Sequence, residues 1–414
     1  MTTVSGSAAD PVRPTATSAQ QMRTWTGPGL LSFGFRPFFL FGAVWAALAM
    51  VIWLLMMSGE LAVPIRFDPV LWHAHEFLFG YLGAIIAGFL LTALPNWTGR
   101  LPIVGWRLGF LVLLWALGRV AVLVSQELPA GLVAAVDLAF PVTLGLVLLR
   151  EIIAGRNWRN LPVLSLLAAF ALANGLFHWQ TAVGGSAADG TGLRLGVATA
   201  LMLISVIGGR IVPSFTRNWL VRTGRAARPV APMQIFDKLV LAATLVGLVL
   251  WVVRPEDGAT GIALLSVGTL QAVRLARWQG ASTASEPLVW VLHAGYAFVP
   301  LGALCVGTSI IMPDGINQVA ALHVWMAGAI GLMTLAVMTR ATLGHTGQDL
   351  HAGSGTVLIY VAIIGSVFAR LLAEIGADHA MLLYRLSGLF WILAFTGFAA
   401  LYGPLLVKRR PGSD

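Results

Sequence analysis

Residues 71–95 read LWHAHEFLFGYLGAIIAGFLLTALP, an apolar run in which only His73, His75 and Glu76 carry or gain charge near neutral pH. About 20 apolar residues suffice for a helix to cross the hydrocarbon core of a membrane. Imidazole and carboxylate groups are costly in hydrocarbon, so ionisable residues in such a span are functional candidates. The stretch therefore predicts a transmembrane helix with a buried polar site near one end.

The same apolar pattern recurs along the whole chain. Of its 414 residues, 58% are hydrophobic and only 10% are charged, whereas a soluble domain has roughly 25% charged residues. Twelve spans are predicted, at 34–57, 71–95, 103–124, 130–150, 161–182, 191–213, 234–253, 258–275, 287–311, 317–340, 353–374 and 380–407. This composition predicts an all-α polytopic membrane protein with one membrane domain, residues 31–407. Residues 1–30 are predicted to be a disordered cytoplasmic tail and residues 408–414 a short cytoplasmic tail.

The distribution of charge predicts the orientation. Most lysines and arginines lie in the termini and in the loops after even-numbered spans, whereas the other loops are mostly acidic. Because cytoplasmic loops retain basic residues, both termini are expected in the cytoplasm. The net charge of +9 is then a sign of topology and indicates no nucleic-acid partner. The lone cysteine, Cys305, and the absence of a CxxCH motif exclude a cysteine-based metal site and covalently attached heme.

Four of the eight histidines lie at similar depth in apolar spans: His73, His75, His178 and His323. At 1.5 Å per residue, each is within roughly 10 Å of the outer surface of the hydrocarbon. A bis-histidine heme needs imidazoles from two helices, and His75 and His323 are the predicted axial ligands. His73 points about 200° away from His75 around the helix, so it takes another role or replaces His75 as the ligand. The alternative is that each histidine only hydrogen-bonds to a backbone carbonyl.

Further residues are candidates for a second metal or for proton transfer. His73, His178 and His293 could bind a second metal or serve as alternative heme ligands, with Met202 or Met326 as soft donors to copper(I). Methionine in a membrane helix is more often simple packing. Glu76 could orient a histidine, relay a proton, or pair with an arginine such as Arg119.

Three related segments end the second, sixth and tenth spans: LTALPNWTGR, GGRIVPSFTRNW and VMTRATLGHTG. Their spacing predicts three pseudo-repeats of four helices, similar to the catalytic subunit of heme-copper oxidases, although anchoring at the membrane interface would also select such residues. This chain lacks paired histidines on the seventh span, so that subunit's binuclear centre does not carry over. Heme propionates, a quinol head group or another anion are candidate partners for four polar residues in these segments. These are Asn96, Arg210, Arg340 and His345.

For Arg210 and Arg340 the alternative role is positive-inside anchoring to lipid phosphate. A heme in the outer half of the membrane would place its propionates near the outer surface instead. For that case Arg66 and Arg385 are the better propionate partners.

Six segments resemble a known family: FGFRPFFLFG (33–42), WHAHEFLFG (72–80), LPNWTGR (94–100), GGRIVPSFTRNW (208–219), WVLHAGYAFVPLG (290–302) and MTLAVMTRATLGHTG (333–347). They are similar to the NnrS family, bacterial membrane proteins that contain heme and copper and are associated with the nitric oxide response. The resemblance implies a twelve-helix protein of the bacterial inner membrane with heme b and copper. His73, His75, His293 and His345 lie in its motifs.

Two functions follow as hypotheses. The first is a heme-containing oxidoreductase that binds and reduces or detoxifies nitric oxide, with electrons from quinol or another donor. The second is a transporter, or a gas- or metal-binding membrane protein without turnover, because twelve helices with both termini inside is also the plan of many secondary carriers.

Overall fold

The residues that this computed structural model describes contain twelve helices that are each long and apolar enough to cross a membrane. The structure describes residues 25–184, 190–226, 229–374 and 377–408, and these residues contain no β-strand. The helices are α1 (Phe35–Met57), α2 (Pro69–Thr98), α3 (Trp106–Leu123), α4 (Ala130–Ala154), α5 (Trp158–Ala182), α6 (Thr191–Arg222), α7 (Ile235–Val253), α8 (Gly258–Ala276), α9 (Pro287–Ile311), α10 (Gln318–Thr346), α11 (Ser354–Leu372) and α12 (Ala380–Val407). The all-α membrane fold is confirmed. Residues 1–24 of the predicted N-terminal tail and residues 409–414 of the predicted C-terminal tail lie outside the described residues.

Helices α2, α6 and α10 form the centre of the bundle. In these three helices, 89%, 67% and 83% of the most apolar 18-residue stretch is buried. The corresponding share is only 33–39% in seven peripheral helices, α3, α4, α5, α7, α8, α11 and α12. Around the three central helices, α4 packs against α3 and α5, α8 packs against α7 and α9, and α12 packs against α11 and α1. The hydroxyls of Tyr81 in α2 and Thr334 in α10 lie 2.6 Å apart. Helices α2 and α10 therefore face each other, while the internal repeat stays a prediction.

Each central helix contains a stretch of π-helix, at Glu76–Leu82, Ile204–Gly208 and Val324–Leu332. A π turn inserts an extra residue and is frequent at functional sites. In α2 and α10 the π segment starts directly after a histidine, His75 and His323 respectively. The local widening thus changes the direction of side chains next to the candidate ligands.

The central helices are longer than hydropathy predicts. The predicted spans 71–95 and 191–213 both end at a proline, but α2 continues to Thr98 and α6 to Arg222 with Pro95 and Pro213 inside the helix. Hydropathy marks only the segment matched to hydrocarbon, and neighbouring helices support a proline that would otherwise end a helix. The end of the bundle where even-numbered helices begin is called the acidic end below, and the opposite end the basic end.

Candidate metal centres

A cavity of about 390 Å³ opens near the acidic end between α1, α2, α10, α11 and α12. His73 of α2 and His323 of α10 both line it, together with Trp53, Met326 and Arg370. Pockets that hold cofactors and small molecules span roughly 300–1,000 Å³. The structure therefore provides one chamber of suitable size with an imidazole from each of two facing helices.

The two imidazoles at this cavity keep nitrogen atoms free for a ligand. The Nδ1 atom of His323 lies 2.7 Å from the carbonyl oxygen of Val319, to which it donates, so Nε2 carries the lone pair. The His73 ring stacks on Trp53 with centroids 4.8 Å apart and planes 16° from parallel. Neither ring nitrogen of His73 hydrogen-bonds to another described residue. A carbonyl that fixes one ring nitrogen is the usual support of a metal-binding histidine.

Arg370 is the cationic side chain in the wall of this cavity, and the sequence did not single it out. Its Nη1 atom lies 2.5 Å from the Oε1 atom of Glu374, and its guanidinium lies 4.7 Å from the centroid of the Tyr384 ring. The two arginines predicted as propionate partners, Arg66 and Arg385, do not line this cavity. Arg66 is exposed and its Nη2 atom donates to the Leu128 carbonyl, and Arg385 is exposed on α12. Only the packing of α11 against α10 reveals Arg370.

His75 lies outside this cavity, in a separate buried group. Its Nδ1 atom is 2.9 Å from Glu76 Oε1, and its Nε2 atom is 3.1 Å from Asn174 Oδ1 and 3.2 Å from Asp137 Oδ2. Both ring nitrogens are therefore engaged. The structure brings His323 together with His73, the alternative ligand, and not with His75.

The group around His75 is called the histidine–carboxylate cluster, and six residues of α2, α3, α4 and α5 form it: His75, Glu76, Arg119, Asp137, Asn174 and His178. The Nε2 atom of His178 lies 3.0 Å from Asp137 Oδ2. One ligand atom each of His75, Asp137 and His178 can be chosen so that all three lie within 4.8 Å of one another. Two imidazoles and a carboxylate at this spacing are a ligand set that zinc, copper and iron accept.

The charges of the cluster balance only with a proton on a histidine or with a bound metal ion. Arg119 bonds to Glu76 at 2.7 Å and also donates to Asp137, so of the three roles considered for Glu76 the pairing with an arginine is present in the structure. With neutral histidines, two carboxylates face one guanidinium and leave one negative charge in a low-dielectric interior. A proton on a histidine or a bound metal ion would neutralise this charge. Asp137 carried no motif, so sequence reasoning missed it.

A second buried network, the arginine–tyrosine network, lies between α6, α7, α8 and α9. It consists of Ser205, Asp237, Thr244, Gln271, Arg274 and Tyr296. The Nε atom of Arg274 donates to Asp237 Oδ1 at 2.8 Å, and its Nη1 atom to the Tyr296 hydroxyl at 2.9 Å. The Tyr296 hydroxyl donates in turn to Gln271 Oε1 at 2.8 Å. One cation and one anion balance here, and no histidine takes part.

The remaining candidate histidines and polar residues lie toward the basic end. His293 is buried on α9, with Nε2 2.7 Å from the Thr216 hydroxyl, and it does not join either site above. Asn96, Arg340 and His345 line one separate pocket, whereas Arg210 is exposed. Of the two methionines proposed as copper donors, Met326 lines the cavity of His73 and His323, and Met202 is buried on α6.

This architecture defines a class of protein: a helical membrane protein with two histidine-lined sites at one end of its bundle. The chain belongs to the NnrS family, because the family model described as NnrS protein matches residues 29–410. A search of curated proteins found no match. The family confirms the resemblance drawn from the six sequence segments and supports a membrane protein of the nitric oxide response.

Proposed function

We propose that this protein is a heme-containing membrane protein that binds and reduces or detoxifies nitric oxide, and that His73 and His323 hold the heme. The observation that carries the proposal is the shared cavity of these two histidines, each with an unengaged ring nitrogen. The family resemblance implies heme b. The positive-inside pattern supports the bacterial inner membrane with both termini in the cytoplasm.

The chain's own residues prepare this cavity for a flat, anionic cofactor. The Val319 carbonyl orients His323, and the stack on Trp53 orients His73. Arg370 can donate to heme carboxylates, because its guanidinium fork matches them. When bound, heme supplies a redox-active iron whose potential depends on its axial ligands and on burial.

The histidine–carboxylate cluster is the proposed site of a second metal, for which the family resemblance implies copper. His75, His178 and Asp137 would hold it, and the unbalanced negative charge of the cluster favours a cation. Glu76 bonds both His75 and Arg119, so it can orient the imidazole and pass a proton to or from Nδ1. Reduction of nitric oxide also needs an electron donor, and quinol is the class of donor dissolved in the bilayer.

Optical and EPR spectra of the purified protein test the heme site. We expect a Soret band in the wild type, and a changed spectrum with reduced heme content in His73→Ala and in His323→Ala. The matched control is His293→Ala, which removes a buried imidazole outside the cavity and should leave the spectrum unchanged. A wild type without heme would refute the proposal of a heme protein. Loss of heme in His75→Ala but not in His73→Ala would instead support the pair that the sequence predicts, His75 and His323. Consumption of nitric oxide with a quinol donor separates an enzyme from a carrier or a binding protein.

A further inference from the structure

A second pocket lies at the basic end, where α1, α2, α6 and α10 converge. It has a volume of about 330 Å³, and Thr92, Asn96, Arg340 and His345 place polar side chains in its wall. His73 and Asn96 are separated by most of α2, a distance of roughly 35 Å at the helical rise. The pocket is therefore distinct from the cavity proposed for heme.

The side chains of Asn96, Arg340 and His345 have no hydrogen-bonding partner among the described residues, whereas the Thr92 hydroxyl donates to the Gly88 carbonyl at 2.6 Å. The guanidinium of Arg340 lies 4.0 Å from the centroid of the Phe215 ring and forms no ion pair with a described carboxylate. The ring of His345 lies beside the rings of Phe33 and Phe35, with centroids 5.6 and 5.3 Å away. A half-buried arginine, an imidazole and an amide thus all present donors to the same space. A ligand with oxygen acceptors would satisfy them.

The walls of the pocket are apolar and continue toward the middle of the membrane. Phe39, Phe89 and Phe215 contribute aromatic rings, which favour a flat ligand ring. A narrower apolar slot of about 80 Å³ follows between α2, α6 and α10 and shares Phe89, Ile211 and Val337 with the pocket. The shape is that of a site for an amphiphile, with a polar head at the interface and a tail in the hydrocarbon.

We propose that this pocket binds a quinone-class ligand, with its ring oxygens at Arg340, His345 and Asn96 and its tail in the apolar slot. A ring with two oxygens accepts hydrogen bonds from more than one of these donors, while the phenylalanine rings cover its faces. An anionic phospholipid would also pair with Arg340, but it has no flat ring for the aromatic walls. The binding is independent of the heme site, and only its role as electron entry rests on the proposed function.

Titration with decylubiquinone tests the site. The full-length protein is placed in nanodiscs of phosphatidylcholine, and binding is followed by quenching of tryptophan fluorescence. We expect saturable binding that weakens at least tenfold in Arg340→Gln and in His345→Phe, while the heme spectrum stays unchanged. The matched control is Arg277→Gln, because Arg277 also lies over a phenylalanine ring at 4.4 Å but outside the pocket, and its affinity should equal that of the wild type. Asn96→Ala, at an exposed position, provides a milder variant and should weaken binding severalfold.

Several outcomes would overturn the proposal. Absence of saturable binding in the wild type, or equal affinity in all variants, contradicts a quinone site here. The titration is repeated in nanodiscs in which phosphatidylglycerol replaces phosphatidylcholine. If decylubiquinone no longer binds there, the pocket is assigned to an anionic lipid instead. Loss of heme would show up separately in the optical spectrum, so failure of the heme proposal is distinguishable from failure of this one.

Discussion

The histidine–carboxylate cluster and the arginine–tyrosine network share one construction. In each, an arginine from a peripheral helix enters the bundle beside a glycine of a central helix. A Cβ atom on Gly80 would lie 2.7 Å from Arg119 Nη1, and one on Gly209 would lie 2.0 Å from Arg274 Nη2. The absence of a side chain at each glycine makes room for a buried guanidinium.

The two regions differ in charge and in chemistry. Arg274 has one carboxylate partner, Asp237, and its other contacts are neutral. Arg119 has two carboxylate partners, Glu76 and Asp137, and the surplus negative charge faces histidines. The first network is balanced by Arg274 and Asp237 alone, whereas the second carboxylate of the cluster needs a proton on an imidazole or a bound metal ion. The same scaffold therefore gives a structural network on one side and a candidate metal site on the other.

Removing the carboxylate on each side should give the largest contrast. Asp237→Asn leaves Arg274 as an uncompensated buried charge and should lower the free energy of unfolding by about 3–5 kcal/mol. Asp137→Asn leaves Arg119 paired with Glu76 and should cost only about 1.5–3 kcal/mol, the range for a hydrogen bond to a charged group, but it should abolish the copper binding that we propose for this cluster. Thermal unfolding in detergent and metal analysis check both. Equal destabilisation of the two variants would contradict the difference in charge balance.

Filling the two glycine positions tests the shared construction. Gly80→Ala and Gly209→Ala force the neighbouring guanidinium to move, and overpacking of this kind costs about 1–3 kcal/mol. Gly80→Ala also crowds Glu76, at 2.6 Å from the added Cβ atom, so we expect only this variant to lose copper. Gly145→Ala on α4 has no atom within 4 Å of the added Cβ and provides the control. A thermal midpoint equal to that of this control in both variants would show that the glycines are not required.

Tyr296→Phe should have the smallest effect. It removes the hydroxyl between Arg274 and Gln271, but Arg274 keeps its bonds to Asp237 and to the Ser205 carbonyl. The expected loss is about 0.5–1.5 kcal/mol, the net value of a typical hydrogen bond. Thermal unfolding measures the loss, and copper and heme contents should stay at wild-type levels. A fall in either content would mean that this network also supports a metal site.

Much of the candidate site could be predicted from the sequence, but its grouping could not. Hydropathy placed His73, His75, His178 and His323 at one depth, and helical periodicity separated His73 from His75. Neither property tells which face of α2 points to α10, because that depends on the rotation of the helix in the bundle. The π segments that start after His75 and His323 shift this rotation, and a hydropathy pattern does not report them.

By itself, the sequence determined the membrane class, the twelve helices and the family, because each follows from local composition or from contiguous motifs. Only the tertiary structure joined Asp137 and His178 to His75, and Arg370 to the cavity of His73 and His323. These residues lie on different helices and belong to no shared motif. The physical reason is that packing between helices fixes which side chains meet, and the cost of burying charge then decides which of them must be neighbours.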